Sequence, residues 1–264
     1  MSNSVTASLL SRLCMSPSRG TIARTLLLPF LLVAGGSVSS QESGPPTEAP
    51  ASAREGAPFD PTGQWVAIIS EDWRWRMITP ARGDFPGIPM TLDAQHIAEA
   101  WDPARDEAAG EACKAYGAPG LMRGPTRLRI TWADDDTLQI ETDYGMQTRL
   151  LHFESAPSDG ANTWQGVSTA EWLMSGRSGF GTMKTVTAQL RPGYLRKNGV
   201  PYSASTVYTE WWDLHAQDNG DEYLVITNKV EDPVYLQVPW LTAIHFKREN
   251  NRGAWDPTPC DARF

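Results

Sequence analysis

"TRLRITWADDDTLQIETDYGMQTRLLHF", residues 126–153, decides the class of fold. In its first part Leu128, Ile130 and Trp132 alternate with polar neighbours, and Leu138 and Ile140 repeat the pattern after "ADDD" (133–136). Period-two alternation marks strands with one buried face, and an Asp-rich break between two such runs is turn chemistry. "YG" (144–145) then turns the chain into "MQTRLLHF" (146–153), where Gln147, Arg149 and Leu151 share a face.

The same reading extends outward in both directions. "GQWVAII" (63–69), "TWQGVSTAEWLM" (163–174), "TMKTVTAQL" (182–190), "STVYTEWWDL" (205–214), "EYLVITNKV" (222–230) and "VYLQVPWLTAIHFKR" (234–248) read as strands, the last broken at Pro239. "QDNGD" (217–221) is a hairpin turn through its Asn-Gly pair. Eight or nine short strands predict a mainly β fold, a single antiparallel up-and-down barrel, with a sandwich as second choice. One segment breaks the rhythm. Residues 91–117 are rich in Ala and Glu and predict two short helices separated at Asp102-Pro103, a helical insertion between the first and second strands.

"EDWRWRM" (71–77) reads as a continuation of the first strand. If it runs unbroken from Trp65, then Glu71, Trp73, Trp75 and Met77 point inward, and Arg74 and Arg76 point outward. A bulge near Ser70 reverses the second half and brings the arginines inside. Both readings stay open at this stage.

The first forty residues have the form of a secretory signal peptide. "TLLLPFLLVAGG" (25–36) is apolar but short for a bilayer span, Arg12, Arg19 and Arg24 precede it, and Val38 and Ser40 stand at the −3 and −1 positions before Gln41. A membrane anchor is the competing reading. Translation from Met15 instead of Met1 gives a shorter signal and removes Cys14. Residues 41–57, rich in Pro, Ser, Ala and Glu, read as a disordered linker, and residues 58–264 as one barrel domain. The expectation is an exported protein, periplasmic or extracellular, with no membrane span once the signal is removed.

Export leaves Cys113 and Cys260, and an oxidising compartment favours a disulfide between them over two buried thiols. Neither has a nearby Cys or His partner, so no metal site is expected. Without residues 1–40 the chain carries 20 basic and 31 acidic residues, a net charge of −11, which disfavours nucleic acid as a partner.

"DPTGQW" (60–65) resembles the start of lipocalin barrels. The resemblance implies that Gly63 and Trp65 lie at a closed barrel end, under a basic side chain of the last strand, here Lys247 or Arg248. No long helix is expected after that strand, which departs from the lipocalin pattern. "EDWRWRM", "AWDPARDEAAGEACKAYGAPGLMR", "ETDYGMQTRLLHF" and "WDPTPCDAR" are similar to segments of a set of uncharacterised secreted bacterial proteins. That resemblance implies export and a shared fold, and brings no reaction.

Eleven tryptophans fit either the wall of an apolar ligand pocket or a filled core. The candidate ligand-binding residues are Trp65, Glu71, Trp73, Trp75, Arg149, Tyr208, Glu210 and Trp212. Tyr208, Glu210 and Trp212 share a strand face, and Arg149 is the expected partner of Glu210. A carboxylate between two aromatics serves as an acid–base group or as a paired structural acid, and His245 is a second acid–base candidate. "DDD" (134–136) lacks a calcium loop's Gly and distal Glu, "SGRSGFGT" (175–182) lacks a P-loop Lys, and no Gly-x-Ser-x-Gly elbow occurs. No cofactor is expected. Three functions remain: a carrier of a small, mostly apolar molecule in a Trp-lined cavity; an isomerase, hydratase or cyclase on the same barrel using Glu210 or His245; or a structural envelope protein with a filled core.

Overall fold

The computed structural model describes residues 51–69, 73–157, 160–176 and 180–263, apart from the side chains of Trp75 and Arg252. The expected signal peptide, residues 41–50 of the expected linker, and Glu71 lie outside the described residues.

In chain order the elements are β1 (Gly63–Ile68), α1 (Trp73–Arg76), α2 (Leu92–Glu99), α3 (Pro103–Ala108), a 3-10 turn (Ala112–Tyr116), α4 (Ala118–Leu121), β2 (Arg127–Asp134), β3 (Thr137–Thr142), β4 (Tyr144–Gly145), β5 (Thr148–His152), β6 (Val167–Met174), β7 (Gly181–Ala188), β8 (Gly193–Arg196), β9 (Val200–Tyr202), β10 (Val207–Ala216), β11 (Glu222–Glu231), β12 (Trp240–Arg248) and β13 (Thr258–Pro259). Nine strands close a barrel in the order β1-β12-β11-β10-β7-β6-β5-β3-β2.

A closed ring with an odd number of strands cannot alternate direction throughout, so at least one neighbouring pair must be parallel. That pair is β5–β6, with Leu151 opposite Ser168 and His152 opposite Thr169. The sequence predicted an antiparallel barrel; this pair is the difference. Its crossover is the segment 153–166, since parallel neighbours cannot be joined by a tight turn.

The predicted turns form as their residues dictate. Asp136 N–H donates to the Asp134 side chain at 2.9 Å between β2 and β3, and Gln217 N–H donates to Asp221 O at 2.8 Å between β10 and β11. The helical insertion also splits as expected. Asp102 caps α3 by accepting from Ala104 N–H at 3.0 Å, with Pro103 in its first turn.

The Gly-x-Trp start closes one end. Trp65 is buried, its indole N–H donates to Pro61 O at 2.9 Å, and the Arg248 guanidinium lies 4.2 Å from its ring centroid. Such a contact contributes about 0.5–2 kcal/mol, depending on desolvation. Gly63, at φ +122°, leaves the room that Arg248 uses. The basic partner is therefore Arg248, while Lys247 pairs with Asp221 at 2.7 Å.

The other end is covered by α2, α4 and the β8–β9 hairpin. They pack Ala94, Ala118, Leu195 and Tyr202 against Tyr208, Val230 and Trp240 of the barrel. Cys113 and Cys260 form a disulfide that ties the 3-10 turn to the C-terminal tail, where β13 adds to β4. Closing a loop with sequence separation 147 is worth about 5 kcal/mol on a chain-entropy estimate. Gly145, at φ +78°, lies directly against the Tyr116 ring, so that glycine is required where the tail docks.

Two expectations are corrected here. Residues 73–76 form a helical turn, closed by Met77 N–H to Trp73 O at 2.8 Å, and do not extend β1. Trp73 is 58% exposed and Met77 49%, whereas Arg76 is 3% exposed. Arg76 donates to the carbonyls of Arg123 (2.8 Å), just beyond α4, and of Ile68 (3.1 Å), the last residue of β1. Carbonyls at element ends lack ladder partners, and a guanidinium satisfies two of them at once. Arg74 turns outward to Asp84 at 2.9 Å. Second, residues 51–57, expected as the end of a disordered linker, lie against the barrel: Arg54 N–H donates to Asp135 O at 3.0 Å and Ala53 N–H to the Asp136 carboxylate at 2.6 Å.

Candidate functional site

The strand register brings Arg149 and Glu210 face to face inside the barrel. Glu210 on β10 stands between Thr185 of β7 and Asn228 of β11, and Tyr208 precedes it on the same inward face. Arg149 on β5 reaches across the lumen. Its two terminal nitrogens donate to the two Glu210 oxygens at 3.1 and 2.6 Å, and Thr185 Oγ1 donates to Oε2 at 3.0 Å. Thr187 accepts from Arg149 at 3.4 Å and lies 2.7 Å from Ser168 Oγ. Tyr208 donates its hydroxyl to Asn228 Oδ1.

This layer is a neutralised ion pair inside a low-dielectric shell. Arg149 is 1% exposed and Glu210 0%. Burial pulls the Arg149 pKa down, but the Glu210 charge and its hydrogen bonds outweigh it, and the net direction is up. Burial, followed by the Glu210 charge, drives the Tyr208 hydroxyl well above its ordinary range. Both Glu210 oxygens are thus engaged, and no substrate proton could be exchanged there without breaking the pair.

The lumen around this pair is packed. A side chain beside a water-sized hole retains accessible surface. Trp65, Leu138, Trp212, Ile226 and Phe246 retain 0%, and Thr185 and Thr187 likewise. Trp65 and Trp212, expected to surround a cavity, fill the interior instead. A small cavity of about 20 Å³ lies outside the lumen, lined by Arg76, Arg123, Tyr144, Arg196 and Lys197. It is room for about one water. The Arg123 and Arg196 guanidinia flank Trp240, at 4.9 and 5.9 Å from its ring.

The predicted site residues therefore separate. Arg149, Tyr208 and Glu210 meet in the interior, while Trp65 and Trp212 are buried in the core cluster toward the other end. Trp73 and Trp75 belong to α1. His245 lies on β12 between the buried Ile244 and Phe246, half-buried, on the alternate face. Among the described residues no group of His, Cys, Asp or Glu side chains is placed to hold a metal ion.

A site outside the lumen was not anticipated. At the end holding the β2–β3 turn, Phe59, Trp132, Phe153 and Trp172 form the last aromatic layer of the core, each half-buried. Phe153 stacks on Trp172 at 5.0 Å, Phe59 meets Trp172 edge-on at 5.3 Å, and Trp132 lies 5.7 Å from Phe153. The Trp172 indole N–H donates to Ala53 O at 2.8 Å, which fixes the ring under residues 51–57. Beside it opens a depression of about 400 Å³, lined by Phe153, Trp172, Met174, Asp136, Glu154 and Glu171 together with residues of the N-terminal crossing. The sequence signal was present: Trp132 and Trp172 each stand shortly before a turn, at the inward end of a strand.

No family model, no curated protein and no solved structure matches this chain. Among the described residues no helix is long and apolar enough to cross a membrane.

Proposed function

We propose that the chain is an exported β-barrel protein that acts by binding at its outer surface, its lumen serving as the core of a rigid scaffold. The observation that carries this reading is the Arg149–Glu210 pair, held two-fold at the centre of a lumen whose side chains keep almost no accessible surface. A lumen carrier needs volume near Trp65 and Trp212, and an acid–base enzyme needs a Glu210 oxygen within reach of a substrate. The packing favours neither. The signal-like first forty residues and the Cys113–Cys260 bond support export.

The test is native mass spectrometry of the protein isolated from the compartment to which its producing cells export it. The expected species begins near Gln41, loses no small molecule on unfolding, and gains two hydrogen atoms from an added thiol reductant as the disulfide opens. A stoichiometric apolar molecule released only on unfolding would contradict the scaffold reading and restore the carrier.

A further inference from the structure

The depression beside Trp172 has the size of a small-molecule site, since such sites span about 300–1,000 Å³. Its chemistry is specific. Phe153 and Trp172, stacked on one another, line it together with the Met174 side chain, which is 57% exposed. The rim carries three carboxylates, Asp136, Glu154 and Glu171, and the described residues lining the depression include no basic side chain. Asp136 is held by Ala53 N–H and Glu171 by Lys184 at 2.7 Å, so the two keep fixed places; Glu154 is exposed. Asp134 ends β2 and Asp135 stands in the β2–β3 turn, where Arg54 meets it at 3.8 Å.

An aromatic face has a negative quadrupole, and it attracts a cation lying over it. Of the rim carboxylates, Asp136 and Glu154 add to that field, Glu171 being offset by Lys184, and the acidic charge of the whole chain raises the local concentration of cations. A primary ammonium keeps most of its water in so open a place. A quaternary ammonium has no N–H to leave unsatisfied, and it can lay its methyl groups against the ring surface that lines the depression at little desolvation cost.

We infer that the depression lined by Phe153, Trp172, Asp136, Glu154 and Glu171 binds an organic cation with an apolar body, a quaternary ammonium above all. This rests on the reading that binding takes place outside the lumen. Residues 51–57 belong to the site, because Ala53 orients both Trp172 and Asp136.

Choline chloride is the probe, with its neutral carbon isostere, in which a tert-butyl group replaces the trimethylammonium, as control. The readout is the indole N–H resonance of Trp172 in the full exported chain, assigned by its loss in Trp172→Phe, with that of Trp212 as the lumen reporter. Choline is expected to move the Trp172 resonance saturably and to bind about tenfold more tightly than the isostere, an advantage of cation–π size. Glu154→Gln, at an exposed position, should weaken choline and leave the isostere unchanged. Equal affinity for the two probes, or a Trp172 resonance that does not move, overturns the inference while leaving the scaffold reading intact. Saturable movement of Trp212 in place of Trp172 overturns both.

Discussion

At the scale of single residues, Arg149 and Glu210 form a two-fold hydrogen-bonded ion pair buried inside the barrel. Gln147, Arg149 and Leu151 point one way on their strand, as do Tyr208, Glu210 and Trp212 on theirs. The consequence is a large asymmetry between breaking the pair and replacing it. Glu210→Ala strands a buried guanidinium and should lower stability by about 3–5 kcal/mol, whereas Arg149→Met with Glu210→Leu should recover most of that loss. Urea denaturation of the two variants and wild type measures both numbers. Lys197 carries a second consequence. Burial lowers its pKa to about 8 despite the opposing charge of Asp261. Between about pH 8 and the ordinary lysine value near 10.5, the unfolded chain holds a proton that the folded chain has released. Stability at this site should therefore rise with pH across that window, and the burial cost should be fully present below it. Lys197→Met should remove the rise, as seen in denaturation midpoints compared at pH values on either side of the window.

At the scale of elements, strands and turns were legible and α1 was not. "WRWR" satisfies period two on paper, and a single helical turn spans too few residues for its own period to show. What decides the matter is tertiary. The carbonyls of Ile68 and Arg123 need donors, and Arg76, at the end of the helical turn, donates to both. The two readings predict opposite ranks. With the helical turn, Arg76→Ala should cost about 1.5–3 kcal/mol, the range for hydrogen bonds to a charged group. Trp73→Ala, at an exposed position, should change stability by about 0.5 kcal/mol or less. An inward strand would make Trp73 the costly position. Thermal unfolding of the two variants ranks them. The β8–β9 hairpin was also missed, because "LRKNGVPY" (195–202) offers too short a pair of runs to read as strands; its burial under α2 and α4 is what holds it. The first part of the N-terminal crossing escaped for a similar reason: residues 51–57 have no apolar period, and they are held by backbone and indole hydrogen bonds to the turns of the barrel.

At the scale of the whole molecule, the barrel, the helical insertion and the Cys113–Cys260 staple followed from strand count, composition and compartment. The parallel pair β5–β6 did not, because the odd strand number that demands it is fixed only when the ring closes. Nor did the state of the lumen. A tryptophan that lines a cavity and one that fills it leave the same mark in a sequence; only the volumes of all inward side chains together distinguish them. The claim on which the functional reading turns is that this volume is occupied by Trp65, Trp212, Phe246 and the Arg149–Glu210 pair. Xenon enters dry apolar cavities of proteins and is located directly by diffraction. A crystal of the protein pressurised with xenon should show none among Leu138, Trp65, Trp212 and Phe246. Xenon at that place, or elongated density from a retained molecule, would contradict the packed lumen and with it the scaffold.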